Sequence, residues 1–343
     1  MPSADPEPGP TQTSEPTPTE TVAAPTHPGP RIPVTCEQLF ENVDGFTGGP
    51  AAPVEFSSAA PVKAVLDQAG FEFCRVEGLL GSTAVTMTTI VGVDFDVATV
   101  DEDIAAFAQF GGIDTDIGGE RSWTECRAAD DPSYCLTNVY ANGYLVEFST
   151  NPAGPIAGDF DASLRSFTAD LGSSLASWPE APEPWVASDG ALSWSSECDT
   201  EVASTDGGIR AAMPFDSRPP IYWGSGDGFP LIYTALLRQG FMECAWESSG
   251  EDFGFAVVMI VPGAGWILER GETLPGEPID YPGALAASVV DESQNSSVTV
   301  WLVIDESLLI IDLDTGYLID DRPGEIAAAL RVADAVVADF GAP

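Results

Sequence analysis

The strongest constraint on this chain is a motif that occurs twice. Leu66, Gly70, Phe71, Cys74 and Glu77 recur, at one constant offset, as Leu236, Gly240, Phe241, Cys244 and Glu247. Each copy follows a helical pattern, Pro61 to Ala69 and Leu231 to Gln239, and precedes an apolar, β-branched run, Thr83 to Val93 and Phe253 to Val261. Gly70 and Gly240 stand where a helix needs a left-handed residue to stop, and the Phe-x-x-Cys segment then starts a strand. A repeat on this scale predicts two copies of one fold.

The rest of each half follows the same plan. Strands are expected near Tyr134–Tyr140 and Tyr144–Thr150, then near Val298–Ile304 and Leu308–Leu313. Phe160, Leu164, Phe167 and Leu171 give a closing helix one apolar face, with Asp159 as its N-cap; Ile326, Leu330, Ala333, Val337 and Phe340 do the same behind Pro323. The first half also inserts a helix from Val100 to Phe110, with Thr99 and Glu102 in a capping-box pattern. The expected fold is α+β: two duplicated modules, each an antiparallel β-sheet with helices packed on one face.

Six cysteines, with no Cys-x-x-Cys pair, fit this scheme. The repeat makes Cys36–Cys74 and Cys198–Cys244 equivalent disulfides, and Cys126 and Cys135 then pair locally across the Asp130–Ser133 turn. Paired disulfides imply an oxidising, extracytoplasmic compartment. No apolar run is long enough to cross a membrane. Residues 1–33 hold ten of the 29 prolines among Thr, Ser and Glu, and read as a disordered stalk. Module 1 is expected over 34–177, a Pro-rich linker over 178–185, and module 2 over 186–343. The two tryptophans that flank the linker, Trp178 and Trp185, suggest that it packs against the modules.

Charge and inventory exclude several functions. With 54 acidic residues against 12 basic ones, the formal charge is −42, and the scattered arginines form no basic stripe for nucleic acid. The sole histidine, His27, lies in the stalk, so Ser-His-Asp and Cys-His catalysis and His-based zinc chemistry have no imidazole within the modules.

A few motifs remain. Asp114-Thr-Asp116-Ile-Gly118-Gly119 followed by Glu125 has the spacing of a calcium loop, except that Gly118 replaces a ligand. Asp114, Asp116 and Glu125 are therefore a candidate Ca²⁺ site, set against an ordinary acidic surface loop; no other cofactor is expected. Asp314-Thr315-Gly316 echoes the aspartic-protease signature without the required second copy, and reads as a turn. The Gly224–Gly228 run lacks the lysine of a phosphate loop. Two Gly/Pro-rich loops carry Tyr222, Trp223, Phe229, Trp266 and Tyr281, either as a binding surface for sugars or peptides or as plugs over the core.

The Pro/Thr/Glu stalk, the Pro33-Val-Thr-Cys36 start of the first module and the Gly-Phe-x-x-Cys strand resemble the uncharacterised exported, often lipid-anchored α+β proteins of high-GC Gram-positive bacteria. That resemblance implies secretion or tethering at the outer membrane face through a segment upstream of Met1, and transfers no catalytic residues. The expected role is a non-catalytic cell-envelope module binding a protein, peptide or wall polymer. A carboxylate- or cation-dependent hydrolase and a purely structural spacer are the alternatives. The sequence does not specify the oligomeric state.

Overall fold

In the computed structural model of this chain, the described residues are 27–54, 60–108, 114–126, 135–192, 198, 208–218, 221–222, 230–249, 254–292, 297–316, 319 and 321–340. The first sheet comprises β1 (Phe46–Gly48), β2 (Ala52–Pro53), β3 (Glu72–Leu80), β4 (Thr83–Gly92), β5 (Asp114–Thr115), β6 (Arg121–Cys126), β7 (Cys135–Ala141) and β8 (Tyr144–Pro152). Its order is β1-β3-β4-β8-β7-β6-β5, with β2 also on β3. The second comprises β9 (Ile221–Tyr222), β10 (Met242–Glu247), β11 (Phe255–Val261), β12 (Glu277–Pro278), β13 (Ala286–Glu292), β14 (Ser297–Ile304) and β15 (Ser307–Asp314), in the order β12-β13-β14-β15-β11-β10-β9. Both are antiparallel throughout.

The two orders are the same topology read from opposite ends. The α+β class with two antiparallel sheets is thus as the sequence indicates, and the duplication extends well beyond the Gly-Phe-x-x-Cys unit. The helix expected as an insertion in the first half has a counterpart at the same topological place: Val97–Ala108 in one module, the four-residue Trp266–Glu269 in the other. The longer helix starts earlier than its sequence pattern suggests. Asp96, not Thr99, caps it, its carboxylate accepting from Thr99 N and Thr99 Oγ1, both at 2.9 Å.

The repeated glycine works as anticipated. The leading helices Pro61–Ala69 and Pro230–Arg238 stop at Gly70 and Gly240, with φ of 70° and 64°. Phe71 N then donates to Leu66 O at 2.8 Å and Phe241 N to Leu236 O at 3.0 Å, so the same capping turn aims the chain into β3 and β10. Disulfides Cys36–Cys74 and Cys198–Cys244 tie each of these strands to the chain preceding its helix, and Cys126–Cys135 joins β6 to β7.

Alternation along the strands gives each sheet two buried faces. Val85, Met87, Val146 and Phe148 pack with Phe160, Leu164 and Phe167 of the closing helix Phe160–Ala176. In the second sheet, Val258, Val300 and Ile311 pack with Val332 and Val336 of the closing helix Arg322–Phe340. The opposite faces meet in the middle: Ile90 and Leu145 join Leu66, Leu236, Val303 and Ile310 in one apolar cluster drawn from both modules. The helices expected on one face of each sheet therefore occupy both faces. The layers run helix, sheet, paired leading helices, sheet, helix, because each leading helix is too apolar to leave its second side in water.

The chain is fixed earlier than the 1–33 stalk boundary implies. Ile32 is buried in the first module, and Arg31 donates twice to the Asp94 carboxylate, at 2.6 and 2.9 Å. Asp159 stands at the N-cap of its helix but spends its carboxylate on Ser82 N and Oγ, at 3.2 and 2.8 Å, pinning the β3–β4 turn. Among the described residues, no helix is long and apolar enough to cross a membrane.

Candidate functional site

The segment between the modules is clamped to both of them. Trp178 stands edge-on to Tyr144, with ring centroids 5.0 Å apart, and Tyr144 Oη donates to Pro179 O at 2.7 Å. Asn142 Nδ2 donates to Trp178 O at 2.8 Å and Arg31 Nε to Pro182 O at 2.7 Å. On the second module, Ser188 hydrogen-bonds Glu306, and Leu192 N donates to the buried Ser307 Oγ at 2.8 Å. Prolines at 179, 182 and 184 donate no N–H, so these side chains meet the segment chiefly at its carbonyls.

Under this segment lies a cavity of about 570 Å³, whose walls include Arg31, Asp94, Trp185, Arg238 and Pro262. Its two arginines are committed. Arg31 pairs with Asp94, while Arg238 donates to Val93 O at 2.6 Å and lies 4.3 Å over the Phe95 ring. Burial lowers the pKa of Arg238, and the Asp94 charge partly offsets this. The cavity is a lined joint between modules, with both arginines already engaged by the protein.

A second groove, of about 530 Å³, shares Trp185 and Val186 with that cavity and continues onto the second module. Val186 and Leu285 are 77% and 72% exposed, the most exposed large apolar side chains among the described residues, and both line this groove. Trp185, Trp266 and Leu268 add to its apolar wall, while Glu269 and Glu306 supply its charge. Gly263 makes the fit possible. Its φ is +69°, and a Cβ there would stand 2.6 Å from both Ala187 Cβ and the Trp185 ring.

The aromatic residues singled out in the loops do not converge. Trp266 is 4% exposed and belongs to the shared middle cluster, with Arg270 4.4 Å over its ring. Tyr281 packs against the second core and donates to Asp334 at 2.7 Å. The backbone of Tyr222 pairs with Cys244 in β9–β10. Trp223 and Phe229 lie outside the described residues. Trp266 and Tyr281 thus act as plugs, and the most exposed large apolar positions among the described residues are the aliphatic Val186 and Leu285, which carry no distinctive sequence signal.

The acidic motif is drawn into a tight hairpin. The β5–β6 register sets Asp114 opposite Thr124, one residue out of step with Glu125, while Asp116 sits in the turn with φ of 61°. Ser122 Oγ accepts from Ile117 N and Gly118 N, at 2.7 and 2.9 Å, so the turn is closed by its own side chain. Arg121 pairs with Asp101 at 2.6 Å. Among the described residues, the one close group of three potential metal-ligand atoms is Cys36, Glu72 and Cys74, whose cysteines are already joined to each other. At the Asp-Thr-Gly sequence, Asp314 Oδ1 accepts from Gly316 N at 2.8 Å and Thr315 donates to Glu325 at 3.2 Å, as an ordinary side-chain-closed turn.

One carboxyl is strongly perturbed. Glu147 of β8 is 1% exposed and burial pushes its pKa up to about 8; the Leu231 N–H, 3.4 Å away, opposes that rise and the Asp103 charge adds to it. It faces the first turn of the second leading helix, inside the shared layer, and lines none of the cavities described above. A general acid needs access to substrate. Glu147 is sealed from it.

The three disulfides account for every cysteine and indicate an oxidising environment. Comparison with known proteins finds no matching family model, no similar curated protein and no similar solved structure.

Proposed function

We propose that this chain is a non-catalytic binding protein of the cell envelope, exported and displayed outside the membrane, whose partner-binding surface is the groove beside the inter-module segment. The observation that carries this reading is the pairing of Val186 with Leu285. Two aliphatic side chains, each more than two-thirds exposed, share one groove, whereas every other large apolar side chain among the described residues is less than half exposed. The groove volume falls in the range of roughly 300–1,000 Å³ common to ligand sites. Its backing is rigid, since Trp185 and Ala187 lie against Gly263 and Ser188 is held by Glu306.

The test is a panel of short peptides of both charge signs together with wall-polymer fragments, assayed against the intact protein and a Val186→Asp, Leu285→Asp double variant. Binding by at least one class that the double variant loses is expected. If no member of the panel binds in a manner that depends on these two positions, the reading fails.

A further inference from the structure

Resting on that reading of the groove, we infer that its partner is a cationic peptide segment in which apolar side chains alternate with lysine or arginine. Two observations point to it. The groove lining contains two carboxylates, Glu269 and Glu306, and no basic residue. Glu269 is exposed, and no ion pair is formed by it among the described residues, so its charge faces the groove uncompensated.

The adjoining cavity makes the contrast informative. There, Arg31 is paired with Asp94, and Arg238 is held by the Val93 carbonyl and the Phe95 ring. In the groove Glu306 hydrogen-bonds the neutral Ser188 and Glu269 forms no ion pair among the described residues, on a molecule whose formal charge of −42 disfavours anionic partners. The apolar wall made by Trp185, Val186, Leu268 and Leu285 supplies contact area, and the carboxylates select the sign of the flanking residues. An extended chain suits both, because successive side chains point to opposite sides and can place one set on the wall and the other toward the acids.

Net charge alone would attract any cation to this protein, so the experiment must separate a groove from a field. A fluorescein-labelled heptapeptide of alternating lysine and leucine is titrated into the full chain by anisotropy, beside an alternating glutamate and leucine peptide and an oligolysine of equal length. Val186→Asp removes apolar contact while making the protein more acidic. The groove requires at least a tenfold loss of lysine–leucine binding in Val186→Asp, a several-fold loss in Glu269→Lys, and no change in Asp161→Asn on the closing helix far in sequence from the groove. Tighter or equal binding by Val186→Asp, or equal binding of oligolysine, would overturn the proposal in favour of bulk attraction. Binding of the glutamate–leucine peptide that Val186→Asp abolishes would overturn the charge assignment but leave the binding surface standing. Binding of neither leucine peptide, with wall-polymer fragments bound, would do the same; no binding of any class would bring down both.

Discussion

Gln68 and Arg238 occupy the same position on the two leading helices, and each donates to a backbone carbonyl of the other module: Gln68 Nε2 to Pro262 O at 2.9 Å, Arg238 Nη1 to Val93 O at 2.6 Å. The acceptors are equivalent too, because Glu72 pairs with Val91 in one sheet and Met242 with Ile260 in the other, two residues before each carbonyl. The modules therefore meet about an approximate two-fold axis through the paired helices. The axis is broken where chemistry requires it. Glu147 and Ile310 are equivalent, lying opposite Ile90 and Met259, and their helix partners by position are Leu231 and Pro61. Leu231 has an N–H to offer the acid; Pro61 has none, and its side of the layer carries the isoleucine.

A shared middle layer predicts one unfolding transition. Leu236 is buried among residues of both modules, so Leu236→Ala should cost about 2–5 kcal/mol and lower a single cooperative melt. Calorimetry decides. Two resolved transitions, only the later residues responding, would contradict the common core.

Glu147 should make stability fall as pH rises. The unfolded carboxyl titrates near 4.5 and the folded one near 8, so between these values the native state holds a proton that the unfolded chain has released. Its contribution is most favourable below pH 4.5 and declines through pH 8, by roughly 1.4 kcal/mol per pH unit. Glu147→Gln keeps an acceptor for Leu231 N and should flatten that decline relative to wild type. Denaturant midpoints measured from pH 5 to pH 8 test it, and parallel profiles for the two proteins would sink the idea.

Gly263 should tolerate no side chain. Gly263→Ala places a Cβ against Trp185 and Ala187 at a positive φ, with a backbone cost alone of about 1–2 kcal/mol. The segment should lift, raising the accessibility of Trp185 to iodide quenching compared with a Trp185→Phe background. Unchanged quenching would show that the segment is held elsewhere.

Loss of the first disulfide should be felt across the molecule. Cys36→Ser with Cys74→Ser opens a link between residues 38 positions apart and should destabilise by about 2–5 kcal/mol. Thiol titration of the unreduced, denatured wild type should detect no free thiol; six would refute the pairing.

Much of the fold was legible because it is written in local periodicity. Leu66, Gly70 and Cys74 announce a helix stop and a strand start within nine residues, and the match at Leu236, Gly240 and Cys244 reveals the second copy. The short strands β1 and β2 escaped because they are held by β3, from which the leading helix separates them in sequence. The shared layer escaped for a different reason: Ile90 and Ile310 read as strand residues with a buried face, and nothing local says that the cover comes from another module. The candidate groove was the least legible part. Aromatic residues drew attention to Trp266 and Tyr281, which their surroundings bury, whereas Val186 and Leu285 are unremarkable until the surface is folded around them.

The way the N-terminal segment reaches the body has a mechanical consequence. Pro28 O accepts from Arg270 of the second module at 2.6 Å, and three residues later Arg31 grips Asp94 of the first. Tension drawn through residue 27 would enter at the seam and divide between both halves, instead of peeling one edge strand away in sequence. A tethered molecule loaded in this manner should resist as a unit, and single-molecule stretching from the N-terminus should record one rupture event where separately loaded modules would give two.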